Sequence, residues 1–192
     1  MKKVKMMALA IAAIVCANTI SAQTMTHKTM KEKTVEVGGA PMYPSKNIIE
    51  NAVNSKDHTT LVAAVKAAGL VETLMGAGPF TVFAPTNAAF NLLPAGTVET
   101  LVKPENKAKL TGILTYHVVA GSLDTKALDQ KIAAGNGKAE LATVAGGKLW
   151  IMKRGKKYML KDENGGMATV TIGNVYQSNG VIHVIDHVLL PK

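Results

Sequence analysis

Cysteine is almost absent from this chain: Cys16 is the only one among 192 residues. A single thiol cannot form a disulfide within one chain, so the class of small exported domains held together by disulfides is excluded. A body of about 150 residues buries roughly 70% of the surface that its unfolded chain exposes, which suffices for a core without disulfide or metal cross-links. The fold therefore depends on side-chain packing.

Aromatic residues are also scarce, at 4% of the chain, so the core must consist mainly of Val, Leu, Ile, Ala and Met. Charged residues make up 18% of the chain and apolar residues 47%. Disordered chains have the opposite balance, with few apolar and many charged residues. The composition predicts one folded domain with short extensions, and it indicates no particular chemistry.

The N-terminus has the pattern of an export signal over residues 1–22. Three lysines begin it, an apolar run follows over residues 6–15, and small residues precede the expected cleavage site before Gln23. Because the run is too short to span a bilayer, we expect no transmembrane helix and a protein that is periplasmic, held at the cell surface or secreted; an uncleaved anchor is the alternative. Lipidation of Cys16 is disfavoured, since the bulky Val15 precedes it.

The formal net charge is +9, and it falls to +6 on removal of the predicted signal, which carries three lysines and no acidic residue. Positive charge is compatible with nucleic acid or an anionic surface as a partner. The lysines, however, are scattered among acidic residues, and no aromatic residues alternate with them as they do in sites that stack bases. The sequence therefore predicts no specific nucleic-acid binding.

Residues 23–44 are polar and have no sustained period, which predicts a flexible tether. The folded domain is expected over residues 45–192. Its first half contains helical spacing and capping residues, which predict helices that begin after Asn47, after Asp57, after Thr86, from Pro104 and after Asp124.

Strands are predicted where β-branched and aromatic residues lie between turn residues, over residues 80–84, 115–119, 149–152, 158–160, 168–172 and 181–190. Most of them follow Leu141, whereas most helices precede it. This separation predicts an α+β fold and not alternating βαβ units.

No catalytic or metal-binding pattern stands out in the sequence. His183 and His187 are four residues apart, but in a strand their Cα atoms lie about 13 Å from each other, so neither a metal nor a cofactor is predicted. No serine occupies a Gly-x-Ser-x-Gly turn, and the Gly-Gly pairs lack the Lys-Ser/Thr of a phosphate loop. A triad of His117, Asp186 and a distant serine stays open, since triads are defined by geometry.

The densest basic cluster lies at the tip of a predicted hairpin and consists of Lys153, Arg154, Lys156 and Lys157. As a functional site it would bind an anion, such as an acidic polysaccharide or a charged surface. Alternatively, the lysines keep an exposed strand edge soluble and discourage pairing with another chain.

Three segments are more distinctive, and they occur in one order: a first box over residues 78–90, the pair Tyr116-His117, and a second box over residues 179–191. Together they closely resemble the fasciclin domain family, also known as beta-Ig-H3-like, and the resemblance extends over residues 47–192. It implies a wedge of two β-sheets with several packed helices. The residues that match the family motif are Thr81, Phe83, Pro85, Thr86, Asn87, Phe90, Asn179, Gly180, His183, Ile185 and Asp186.

The first box also has a physical logic of its own. Phe83 and Phe90 can enter the core from a strand and from the helix that follows it. Pro85 forces the corner between them, and Thr86 can accept hydrogen bonds from the free N–H groups of the helix.

The resemblance implies a secreted or surface-attached protein that takes part in adhesion. In animal members the Tyr-His region is implicated in integrin binding, which makes Tyr116 and His117 candidate binding residues here. A structural alternative stays open, in which His117 is buried against a carboxylate, for which Asp186 is the candidate.

Three functions follow as hypotheses. The first is an exported, non-enzymatic binding module for an extracellular protein or polysaccharide. The sequence does not indicate its oligomeric state. The second is an extracellular esterase-like enzyme in which His117 and Asp186 support a nucleophile. The third is a binder of small hydrophobic ligands, which requires a sizeable apolar cavity. Closed, apolar packing around His117 favours the first, and a polar pocket with a serine beside it favours the second.

Overall fold

The computed structural model describes residues 32–192. The predicted export signal with Cys16, and the part of the predicted tether that precedes residue 32, lie outside the described residues.

Seven α-helices lie within the described residues. Two of them are preceded by single 3-10 turns, at Lys56–His58 and Pro104–Asn106. The helices are α1 (Ile48–Ala52), α2 (Thr59–Ala68), α3 (Val71–Met75), α4 (Asn87–Asn91), α5 (Thr97–Leu101), α6 (Lys107–Tyr116) and α7 (Thr125–Ala134).

The strands within residues 32–192 are β1 (Val35–Val37), β2 (Ala40–Met42), β3 (Phe80–Pro85), β4 (Val118–Ala120), β5 (Lys138–Ala142), β6 (Lys148–Arg154), β7 (Lys157–Lys161), β8 (Met167–Gln177) and β9 (Gly180–Ile185). β1 and β2 form a hairpin, and the other strands form one ladder in the order β4-β3-β9-β8-β7-β6-β5. Only β3 and β9 pair in parallel.

The long strand β8 connects the two halves of this ladder. Its beginning pairs with β7, and the remainder pairs with β9 through two shifts of register after Val170. At the ends of the ladder, Val119 of β4 bridges to Thr143, which directly follows β5, so the ladder nearly closes on itself. The predicted α+β fold, a wedge of two sheets with packed helices, is confirmed.

The core consists of two hydrophobic clusters on opposite sides of the β3–β9 pair. The first cluster contains Val82 and Val184 from the two strands, together with residues of α2 and α6. The second contains Phe83 and Ile185, together with residues of α7 and of β5 to β7. Because successive residues of a strand point to opposite faces, the central strands contribute to both clusters and are buried on both sides.

The expectation of a flexible tether is wrong for residues 35–42, which form the β1–β2 hairpin. Gly38 and Gly39 make its turn with φ angles of +59° and +75°, a conformation that glycine adopts without steric cost. Val37 and Met42 are buried in the first hydrophobic cluster. Two apolar side chains therefore anchor a segment whose composition is otherwise polar.

The strand predicted over residues 115–119 is confirmed only for Val118 and Val119, because α6 continues through Tyr116 and β4 begins at Val118. Thr115 is β-branched and favours strands, but here its hydroxyl donates to the carbonyl of Thr111 at 2.7 Å, one helical turn earlier. Threonine is tolerated in a helix when it makes this bond.

Capping predictions had mixed outcomes. Asp124 caps α7 as expected, since its Oδ1 accepts from the N–H of Ala127 at 2.8 Å. Asp57 caps nothing: it lies inside the 3-10 turn, and α2 begins at Thr59. The last strand was predicted to extend to residue 190, but β9 ends five residues earlier, at Ile185.

Thr86 caps α4, because its Oγ1 accepts from the N–H of Ala89 at 3.2 Å. We expect Thr86→Ala to lower the free energy of unfolding by about 1 kcal/mol in urea denaturation, and Thr86→Ser, which keeps the accepting oxygen, to unfold close to the parent. Equal losses in the two variants would contradict a capping role.

Candidate functional site

The three segments of the family motif meet at one place in the fold. β3 of the first box pairs with β9 of the second, with Phe83 opposite His183. On its other side β3 pairs with β4, which follows the Tyr116-His117 pair. The N–H of Phe83 donates to the carbonyl of His117 at 2.9 Å. This junction is the candidate site.

His117 is buried, and both nitrogens of its ring are occupied. Nδ1 donates to the carbonyl of Ile113 at 2.8 Å, and Nε2 accepts from the N–H of Leu189 at 3.0 Å. These partners require a neutral ring with its proton on Nδ1. Burial lowers the pKa of His117 to about 4, although the Ile113 carbonyl and the charge of Asp162 act in the opposite direction.

The expected contact between His117 and Asp186 is wrong. Asp186 Oδ1 accepts from the N–H of Thr169 at 2.7 Å and lies 2.8 Å from Nδ1 of His187. The ring of His117 contacts neither that carboxylate nor a serine. The residues proposed for an esterase triad are therefore not assembled.

Tyr116 is fully buried and joins α6 to the β6–β7 region. Its hydroxyl donates to the carbonyl of Lys148 at 2.6 Å and accepts from the N–H of Glu163 at 3.2 Å. Burial raises the pKa of Tyr116 to about 12, so the hydroxyl stays protonated at neutral pH. Both candidate binding residues, Tyr116 and His117, thus lie in the interior and present no surface to a partner.

His183 is likewise buried, whereas His187 is partly exposed. Nε2 of His183 donates to the carbonyl of Leu123 at 2.7 Å, and its ring stacks on Phe83 with 5.7 Å between the ring centroids. Burial lowers the pKa of His183. Within residues 32–192, no three His, Cys, Asp or Glu side chains come close enough to hold a metal ion.

The polar residues of the two boxes connect distant parts of the chain. Thr81 Oγ1 donates to the carbonyl of Gly121 and accepts from the N–H of Leu123. Asn87 bonds to the backbone where α2 begins. Asn179 accepts from the N–H of Ile48 and donates to the carbonyl of Leu74. These side chains hold the helices against the sheet.

Gly180 allows β9 to approach β3 closely. A Cβ atom there would lie 2.1 Å from the carbonyl oxygen of Phe80, which no side chain could tolerate. Among the apolar motif residues, Phe83, Phe90 and Ile185 are buried, as expected for residues that enter the core. Pro85 ends β3 directly before the cap of α4.

The basic cluster at the β6–β7 hairpin is divided between two sides. Lys153 is opposite Tyr158, lies 4.9 Å from the centroid of its ring, and forms an ion pair with Asp129 of α7 at 2.8 Å. Arg154 and Lys157 are opposite each other in the next pair of residues and so point to the other side. Lys156 lies in the turn. Lys153 therefore has an ion-pair partner, whereas Arg154, Lys156 and Lys157 are exposed side chains.

The sequence did not indicate a cavity of about 50 Å³ inside the first hydrophobic cluster. Its lining is almost entirely apolar, apart from Lys66, His117, Ser55 and His58. Nδ1 of His58 lies 2.9 Å from the hydroxyl of Ser55, and its buried Nε2 has no hydrogen-bond partner among the described residues. Burial lowers the pKa of His58, and the nearby Ala84 carbonyl offsets part of that effect. In the sequence, the only indication of this polar pair was the three-residue spacing between Ser55 and His58.

The buried neutral histidines predict an acid-sensitive fold. Since the folded-state pKa of His117 is about 4 and its unfolded value about 6.5, the unfolded chain binds more protons between these pH values. We expect the free energy of unfolding to be highest above pH 6.5 and to fall toward pH 4, by up to about 1.4 kcal/mol per pH unit for this one histidine. His183 and His58 act in the same direction.

Urea denaturation at several pH values measures this slope. His117→Gln should be less stable at pH 7 but lose less stability on acidification, whereas Lys109→Gln, which changes an exposed side chain of α6, should keep the parent slope. The assignment fails if His117→Gln and the parent have the same slope between pH 6.5 and 4.5.

Within residues 32–192, no helix combines the length and the apolar character needed to cross a lipid bilayer. In structure, this chain is similar to a fasciclin domain pair from the insect cell adhesion molecule Fasciclin I, with a TM-score of 0.68 and 18% identity. The match covers 83% of this chain and 58% of that one, and it supports the fold alone.

Sequence comparison identifies relatives from bacteria. The chain is 53% identical to Protein sll1483 of Synechocystis over 145 residues, which is 75% of this chain and 73% of the relative. It is 37% identical to the immunogenic protein MPB70 and to the cell surface glycolipoprotein MPB83, both of Mycobacterium bovis. Each of these two matches covers 73% of this chain, and they cover 66% of MPB70 and 58% of MPB83. The model of the Fasciclin domain matches residues 56–191, and the chain therefore belongs to the fasciclin domain family.

Proposed function

We propose that this chain is an exported binding module, which acts at the cell surface or outside the cell by contact with other proteins or polymers and without chemical turnover. The names of its relatives support this proposal: one is a cell surface glycolipoprotein, and the similar insect structure is that of a cell adhesion molecule. Because these proteins extend beyond the matched region, their activities are a guide only to the class of function.

One observation carries the proposal: the motif residues with reactive side chains use their polar atoms inside the fold. His117, Tyr116 and His183 are buried and bonded to backbone groups. A general base needs a free nitrogen within reach of a substrate proton. The motif therefore acts as a scaffold, and the exterior of the domain is left to make contacts.

A binding screen with a parallel activity assay tests this proposal. The exported protein, purified as the cell processes it, is immobilised and exposed to extracellular proteins and to neutral and acidic glycans, while ester substrates are assayed in solution. We expect saturable binding to at least one partner, and ester turnover at background in the parent, in His117→Ala and in the control His187→Ala. Ester turnover that His117→Ala abolishes and His187→Ala preserves would overturn the proposal.

The cavity supports a second candidate function, the binding of a small apolar molecule. Its lining residues include Val65, Leu74 and Leu114, and the buried Nε2 of His58, near the carbonyl of Ala84, offers one polar contact. Apolar cavities in proteins stay dry and take up apolar molecules of matching size. The ligand would be held mainly by burial of its hydrocarbon surface, with the imidazole fixing its orientation.

Xenon is a suitable probe for a cavity of this size, and methyl NMR shifts report where it binds. We expect saturable shifts at the methyl groups of Val65, Leu74 and Leu114. Ala52→Leu, which fills one wall, should abolish the shifts, and Ala67→Leu, an exposed position on α2, should preserve them. Shifts that do not saturate, or that persist in Ala52→Leu, would contradict a ligand site here.

A further inference from the structure

The sheet of β5, β6 and β7 has two different faces. On one face Leu149, Ile151 and Leu160 are buried in the second hydrophobic cluster, which includes residues of α7. Trp150 and Met152 alternate with these residues along β6 and so point to the opposite face. This second face is called the outer face below.

Strand register places the residues of the outer face in two neighbouring rows. In one row Lys138, Met152, Met159 and Thr169 lie side by side on β5, β6, β7 and β8. In the other row Trp150 lies beside Lys161, which lies beside Met167 at the start of β8. The rows bring one tryptophan and three methionines together on three strands, β6, β7 and β8.

These four apolar residues are only partly buried, and they belong to neither hydrophobic cluster. Among the described residues, the main packing contacts of β6 are with β5, β7 and α7, and those of β7 are with β6 and β8. Since α7 lies on the other side of the sheet, no described helix covers the outer face. It is an apolar surface without a partner inside the domain.

Cations surround this apolar centre. They are Lys138, Lys161, Arg154 and Lys157, and none of the four has an ion-pair partner among the described residues. The one acidic side chain on the face, Glu140, is paired with Lys148 at 3.0 Å. The outer face therefore combines a strong positive charge with an apolar centre.

We propose that the outer face is a docking surface for an anionic lipid membrane. Apolar side chains gain free energy when they enter the boundary between headgroups and acyl chains, and tryptophan favours that depth. Lysine and arginine can lay their aliphatic stems along the apolar surface while their charges reach the lipid phosphates. Lys138 places its ammonium Nζ 5.7 Å from the centroid of the Trp150 ring, a cation–π contact that holds a positive charge beside the apolar centre.

The chemistry of the face favours lipid over an acidic polysaccharide. A glycan site needs amide, carboxylate or hydroxyl groups that bond to sugar hydroxyls. On the outer face Glu140 is paired with Lys148, and Thr169 is hydrogen-bonded to Asp186. Three of the four central residues are methionines, whose thioethers are weak acceptors and whose side chains adapt to irregular apolar surfaces. That centre matches hydrocarbon and leaves sugar hydroxyls without partners.

Trp150 is the only tryptophan of the chain and reports directly on this surface. The exported protein is mixed with vesicles of phosphatidylcholine, with or without phosphatidylglycerol. We expect co-sedimentation and a blue shift of Trp150 emission with the anionic vesicles only, with weaker binding at high salt.

Two variants separate the charged from the apolar contribution. Arg154→Gln with Lys157→Gln should weaken binding to anionic vesicles by about 25-fold at low salt, since each cation contributes about a fivefold factor. The matched control, Lys103→Gln with Lys109→Gln, removes the same charge from exposed positions in the helical part and should bind like the parent. The double variant Met152→Thr with Met159→Thr leaves the net charge unchanged, and threonine is well suited to strands. In this variant we expect no blue shift of the Trp150 emission.

Several results would overturn the inference. Binding that the outer-face and control variants weaken equally would indicate general attraction of positive charge, and binding unchanged in every variant would place the contact on another surface. Binding to soluble acidic polysaccharide, but not to vesicles, with the same dependence on Arg154 and Lys157 would replace lipid by glycan. The membrane inference rests on the proposed export. The two proposals can still be distinguished, because a protein that does not bind vesicles can bind an extracellular protein in the screen.

Discussion

The parallel contact between β3 and β9 is the interaction on which the rest of the structure depends. It joins the first box to the second, from Phe80 opposite Gly180 to Pro85 opposite Ile185. Both strands contribute to the two hydrophobic clusters, so the helices on one side and the β5–β7 sheet on the other are built on the same pair. Close approach of the backbones at Gly180 makes this pairing possible.

Local features of the fold could be predicted from the sequence, whereas distant partners could not. The caps at Thr86 and Asp124 depend on residues three positions away, and both follow from residue type. One of the two partners of His117 is the N–H of Leu189, 72 residues later, and no spacing rule gives it. The sequence suggested Asp186 as the partner of this buried histidine, but a backbone N–H takes that position.

The outer face illustrates a signal that was present but ambiguous. Four apolar residues in succession, Leu149 to Met152, predict a strand, but they do not distinguish a strand buried on both faces from one with an exposed apolar face. Only the position of α7 resolves this, because it covers one face alone. The polar segment before residue 45 presents the reverse problem, since two buried side chains, Val37 and Met42, outweigh its composition.

The central pairing also constrains the timing of folding. β9 emerges from the ribosome about 100 residues after β3, which at ordinary synthesis rates is a delay of about 5–20 s. Until then β3 lacks its parallel neighbour, and the strand pair that contributes to both hydrophobic clusters is incomplete. A newly made chain therefore lacks its native centre until β9 has been synthesised, and during that interval its apolar strands stay accessible to factors that bind unfolded polypeptide.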